Sequence, residues 1–427
     1  MPRRITRRQA LTTLGALSLP LDRLMAGAPG SSAAPASSAG PDLSTLPPDL
    51  PNFHPMMEWL ARENAPRLSF LDPQWRSLEA WQAAARPVLR DRLGYAPTAA
   101  PLKAEVLRRE ERDGFTLESV KISATPAYDI PAWVLIPPNR RGKLPAVLAL
   151  HCHSGRYTWG HEKVLSSPGE PAAVTEFRNG TYGRPWAEAL VRRGFLVVVI
   201  DAFYFGERRL RIEDIAPSRV FSEVRDPFNT ARQATPGSAE WIAATNRVCS
   251  FYEHHTAKTI TATGATWPGI HVWDEMRTVD YLISRPDVDA ERIGCAGLSG
   301  GGFRTAMAIA ADARIKAACV TGWMTAFAHQ LRNHIRHTWM IYTPGLYRSL
   351  DLPDAAALHA PGALLVQQCR RDTLYPMSGM QAAVDRLTAI YAKAGLPEKF
   401  RGTFYDEPHS FKPPMQDEAF DWLEQWL

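Results

Sequence analysis

From residue 145 onward the chain alternates between two kinds of hydrophobic pattern. Short apolar runs without polar alternation occur at 145–150 (PAVLAL), 195–200 (FLVVVI), 292–298 (RIGCAGL), 316–322 and 363–369, and 399–405 (KFRGTFY) supplies a further strand. Such runs suit parallel strands covered on both faces. Between and after them, residues 186–193, 272–284, 302–312, 377–394 and 415–427 carry apolar positions three and four apart and read as helices. Strand–helix repeats of this length imply right-handed crossovers and a doubly wound, mostly parallel sheet. Ahead of them, 117–123 and 130–136 are β-prone runs joined by Ala-Thr-Pro-Ala-Tyr-Asp, which predicts a hairpin at the antiparallel edge with a turn of moderate length.

Residues 53–93 show helical spacing through Met56, Met57, Trp59 and Leu60, then Leu78, Trp81, Ala85, Val88, Leu89 and Leu93. The expected organisation is a helical N-terminal extension over 52–114, lying against a catalytic domain over 115–427. Two stretches, 203–269 and 323–361, break the strand–helix rhythm at strand ends. Long insertions there border the usual ligand crevice, so both are expected to form lid or substrate-wall segments.

The first 51 residues have a different character. Arg7-Arg8 precedes a modestly apolar stretch from Leu11 to Leu21 that is too short to span a bilayer stably. This reads as a twin-arginine (Tat-type) signal over 1–28, so export to the periplasm or the exterior is expected. Residues 29–51 are rich in Pro, Ser, Ala and Gly and read as a flexible linker. The net charge of +5 comes largely from Arg3, Arg4, Arg7 and Arg8, leaving no electrostatic case for nucleic acid. The five cysteines are scattered without metal-like spacing, so neither a disulfide framework nor a metal centre is expected.

Gly297-Leu298-Ser299-Gly300-Gly301 matches G-x-S-x-G, and its context gives it weight. A buried strand runs into it and a helix leaves it, which predicts a nucleophile elbow presenting Ser299. A serine hydroxyl needs a base to take its proton, and in this architecture the partners follow in the order Ser, acid, His. His409, in the loop after 399–405, is the histidine that lies beyond the last strands. Asp372, in the loop after 363–369, is the matching carboxylate; Asp351 and Asp354 precede that strand. The oxyanion donors expected are the backbone N–H groups of Gly300 and, from the 151–155 loop, His153. His151, Cys152 and His153 superficially suggest zinc, but no further ligand follows at a suitable spacing. His254-His255 is read as a solvent-facing polar pair with no part in catalysis.

With these residues placed, the chain resembles bacterial α/β hydrolases of the dienelactone-hydrolase and acetylxylan-esterase-like group. The resemblance rests on Ala149 to Gly155 with His161-Glu162-Lys163, on 267–318, on 351–376 and on the His409 loop. It implies an α/β-hydrolase fold, a Ser299–Asp372–His409 triad, no cofactor, and cleavage of a small-molecule or carbohydrate ester through an acyl-enzyme. Cys152 departs from the group's glycine-rich oxyanion loop. A prolyl-oligopeptidase-like peptidase and a non-catalytic binding protein on the same scaffold are the alternatives.

Overall fold

The computed structural model describes residues 46–138 and 142–427. The expected signal over 1–28, and the linker up to residue 45, lie outside these residues. Residues 46–51 do not behave as a linker. Asp49 N–H donates to Arg332 O, the Arg336 guanidinium pairs with the Asp49 carboxylate, and Arg332 donates to Leu46 O. Composition alone could not show these partners, because they lie almost three hundred residues away.

Two helices follow, α1 (His54–Glu63) and α2 (Leu78–Leu93). Ser77 caps α2 by accepting Ala80 N–H, and Gly94 ends it in the left-handed region. α2 docks through Trp81, Ala85 and Leu89, all fully buried, whereas α1 leaves Met56, Trp59 and Leu60 exposed. The helical reading of 52–114 fails beyond α2: Ala104–Arg112 is a strand, β1. Its sequence, AEVLRREER, hides this because an edge strand wet on both faces needs no apolar alternation.

β2 (Phe115–Thr125) and β3 (Tyr128–Ile136) form the expected hairpin, but its turn is only Pro126-Ala127. Then come β4 (Leu144–Leu150), α3 (Ala172–Thr181), α4 (Trp186–Val191) and β5 (Leu196–Ile200). The first insertion holds α5 (Arg225–Gln233) and α6 (Ala239–Ala262), and α7 (Trp267–Ser284) returns the chain to the sheet. β6 (Val288–Leu298), α8 (Gly300–Ala311) and β7 (Ile315–Thr321) follow. The second insertion carries α9 (Phe327–Gln330) and α10 (Leu352–Ala357). β8 (Ala363–Cys369), α11 (Met377–Lys393), β9 (Phe400–Tyr405) and α12 (Pro413–Trp426) complete the chain.

The strands form one sheet in the order β1-β2-β3-β5-β4-β6-β7-β8-β9. β1, β2, β3 and β5 pair antiparallel in turn, and from β5 to β9 every pairing is parallel. Alternate strand residues feed two cores. Ala146, Leu148 and Leu150 pack towards the side of α2, α7, α8, α10 and α11, while Val147 and Ala149 pack towards α4 and α12. Double coverage is why these strands read as unbroken apolar runs. β4 lies between β5 and β6, so the chain leaves its carboxyl end in one direction and returns on the other side. That switch point is where a doubly wound sheet opens a ligand crevice.

Candidate active site

At the carboxyl end of β6 the backbone turns sharply into α8. Ser299 sits at φ 58°, ψ −119°, a region that side-chain-bearing residues rarely occupy. The flanking glycines are required by close backbone approach. A Cβ on Gly297 would lie 2.5 Å from Gly301 C, and one on Gly301 would lie 2.2 Å from Leu150 O. Ser299 N–H donates to Thr321 O at 2.9 Å, which locks the elbow to the end of β7.

His409 and Asp372 meet as the sequence order requires. His409 Nδ1 lies 2.6 Å from Asp372 Oδ2, and the other Asp372 oxygen accepts Leu374 N–H at 2.8 Å. The two loops are laced together beyond the strands: Arg370 N–H donates to Tyr405 O and Arg371 N–H to Glu407 O. His409 overhangs Gly322, where an added Cβ would lie 3.3 Å from its Cε1. Ser299 and His409 therefore flank the same strand end, Thr321-Gly322. Burial alone would lower the His409 pKa, but the charge of Asp372 and its hydrogen bond outweigh that and raise it. Asp351 and Asp354 have other work, since both belong to the capping box of α10 and Asp354 also pairs with Arg386.

The β4 loop reaches the start of α8. An ideal Cβ on Gly300 would lie 3.1 Å from His153 N, so the two expected oxyanion donors are neighbours. Among the described residues, neither N–H is donated to a protein acceptor. The loop side chains have fixed duties. His151 Nε2 accepts Ala202 N–H, so its Nδ1–H donates to Cys152 O. Burial, with Lys163 and Arg304 nearby, holds the His151 pKa well below the ordinary histidine value, so it is neutral. His153 Nδ1 accepts Gly155 N–H, which leaves Nε2–H to donate to Glu253 Oε2 at 3.2 Å.

Glu253, on α6 in the first insertion, gave no signal in the sequence. Its carboxylate also accepts Tyr157 OH (2.6 Å), Thr338 OH (2.6 Å) and Trp339 N–H (2.8 Å). Burial favours its neutral form, but the donors from His153, Thr338 and Tyr157 win and hold its pKa down to about 2. Lys163 was likewise assigned no role by the sequence. Fully buried, its ammonium donates to Cys152 O at 2.9 Å and His153 O at 3.1 Å. A cavity beside these groups is lined by His153, Gly300 and Phe205, and by Thr338, Met340 and Ile341 of the second insertion. Both insertions thus reach the 151–155 loop. His254 faces solvent as expected but also accepts Trp339 Nε1–H at 2.7 Å.

His161, Glu162 and Asp201 bring a ring nitrogen and two carboxylates within 4.8 Å of one another. Asp201 Oδ1 already accepts His161 N–H and Oδ2 accepts Glu207 N–H, and Cβ atoms on Gly160 or Gly206 would strike this carboxylate. The cluster is a hydrogen-bonded hub that fastens the end of β5.

Residues 262–427, which contain Ser299, Asp372 and His409, match the prolyl oligopeptidase family. A relative named "Putative hydrolase YtaP", from Bacillus subtilis (strain 168), is 27% identical over 349 residues, spanning 81% of this chain and all of that protein. Among solved structures, a "putative acetyl xylan esterase" from Bacteroides fragilis superposes with a TM-score of 0.64 at 16% identity, covering 82% of this chain and 81% of its own. A glucuronoyl esterase from Solibacter usitatus superposes with a TM-score of 0.56 at 17% identity, covering 82% and 94%. At such identities the structural likeness speaks for the fold. The mixed sheet, the strained elbow and these structural matches give the chain an α/β-hydrolase fold, the fold that the superposed esterases share.

Proposed function

We propose that the protein is a serine esterase that cleaves a carboxylic ester in two steps. Ser299 attacks the ester carbonyl while His409 takes its proton, and Asp372 holds the imidazole tautomer and stabilises the imidazolium. The N–H groups of Gly300 and His153 stabilise the oxyanion. His409 then returns the proton to the leaving alcohol, and water, activated by the same base, releases the acyl group. The observation that carries this reading is the 2.6 Å contact of His409 Nδ1 with Asp372, placed beside a serine in a strained elbow. The named activities of the superposed esterases support a carbohydrate ester as substrate, with an acetyl or uronate group as the acid part.

The expected results are hydrolysis of a short-chain aryl acetate, labelling by a fluorophosphonate, and loss of both in Ser299→Ala. Activity should fall by at least about 10⁴-fold in that variant, with its melting unchanged. A wild-type protein that neither turns over the ester nor takes the label would sink the reading. The match of residues 262–427 to the prolyl oligopeptidase family favours a peptidase as the second reading. Faster cleavage of proline-containing chromogenic peptides than of esters would select it.

We also propose export through the twin-arginine route, on the strength of Arg7-Arg8 and the apolar stretch behind them. Replacing both arginines by lysine should leave the protein in the cytoplasm, as cell fractionation would report.

A further inference from the structure

We propose that Lys163 is a positioning residue for the oxyanion site: its ammonium, bound to the carbonyls of Cys152 and His153, aims the His153 N–H and polarises it. This rests on the reading of the His153 N–H as an oxyanion donor. The Cys152–His153 peptide is trans, so its C=O and N–H point in opposite directions. With Lys163 Nζ 2.9 Å from Cys152 O, the His153 N–H is directed away from the ammonium, on the side where its nitrogen neighbours Gly300. A cation on the carbonyl of an amide also draws electron density from its N–H, which makes that N–H a stronger donor. The second bond, to His153 O at 3.1 Å, holds the next peptide plane as well.

The ammonium is built into its place. Lys163 is 0% exposed, and its Nζ stands 4.2 Å from the centroid of the Phe205 ring. The preceding peptide is held separately, with Cys152 N–H donating to Tyr182 OH. The titratable groups around Lys163 are His151, Cys152 and Arg156 of the loop, His161 and Glu162 of its own turn, and Asp201 at the end of β5. Burial lowers the Lys163 pKa to about 8, against the pull of Cys152, Glu162 and Asp201. Below that value the ammonium is charged; above it the amine keeps its place and loses its charge.

The test is the pH profile of ester hydrolysis, with kcat and KM followed separately. In the wild type, kcat should decline as pH rises through about 8 while KM stays nearly constant. Lys163→Met should lower kcat at neutral pH by about 100-fold, the scale of a lost oxyanion donor, and remove the alkaline decline. Lys163→Arg, which keeps its charge, should retain activity within about tenfold of wild type and also lack the decline. The decline must persist in Cys152→Ser, which excludes the thiol as its source. A residue that only held the fold would change melting and KM and leave the alkaline decline in the Met variant. Should Lys163→Met fail to fold, the wild-type and Arg profiles still decide. A Lys163→Met variant that keeps wild-type kcat at neutral pH, or an alkaline decline that persists in Lys163→Arg, overturns the role of Lys163 alone in an enzyme that hydrolyses the ester. A wild type inert towards esters and the phosphonate overturns this role together with the esterase reading.

Discussion

Ser299 occupies its backbone region because glycines on either side let β6, α8 and the end of β4 approach within van der Waals distance. Gly300 is the most revealing of them, since the space a side chain would need belongs to the His153 backbone. Gly300→Ala would set its Cβ 3.1 Å from the His153 nitrogen, so that backbone must give by a few tenths of an ångström. Such a shift should cost no more than about tenfold in kcat, with a smaller change in KM, measured by steady-state kinetics on an aryl acetate. The raised pKa of His409 has its own consequence. The base must be neutral to act, so kcat/KM should fall as pH drops through a midpoint above 6.5. Asp372→Asn should lower kcat by about 10⁴-fold and move that midpoint down, because the attraction that favours the imidazolium is gone.

The consequential element is α6. Its buried face includes Thr245, Asn246 and Glu253 beside Ile242, Val248 and Ile260, so the apolar period that betrays most helices is broken. Two of those polar residues are buried with a distant partner: Asn246 accepts Thr158 N–H, and Glu253 gathers donors from both the 151–155 loop and the second insertion. Every bond that Glu253 makes is accepted, so Glu253→Gln sets an NH₂ against donors and should destabilise the protein by about 2–3 kcal/mol in chemical denaturation. The sign of the pH dependence follows from its lowered pKa. The stabilisation is full above pH 4.5 and disappears as pH falls towards 2, so the gap between wild type and variant should close over that range. β1 was missed for the opposite reason. It is exposed along most of its length, and only its pairing with β2 makes it a strand.

Across the molecule, α2 shares the core of the sheet and is no separable extension. Trp81 is fully buried against that core and its Nε1–H donates to Leu68 O, while Gln82 and Arg86 both donate to Leu358 O. Trp81→Ala should cost about 3–5 kcal/mol by denaturant titration, and a chain begun at residue 115 should not fold. All five cysteines are free and buried, so a reductant should leave the melting temperature unchanged.

The sequence by itself determined the architecture and the chain order of the candidate triad. Unbroken apolar runs require a sheet covered on both faces, and a strand–Gly-x-Ser-x-Gly–helix junction requires an elbow. Strand order then leaves Asp372 and His409 as the residues that follow β8 and β9. These are local signals, carried by neighbours along the chain. Only the tertiary structure decided that Lys163 would hold the Cys152 carbonyl, that Glu253 would bind His153 across a hundred residues, and that Leu46 and Asp49 would be pinned to the second insertion. A buried polar group is stable only with its partner in place. That partner is set by the packing of distant segments, so residue type and spacing carry no trace of it.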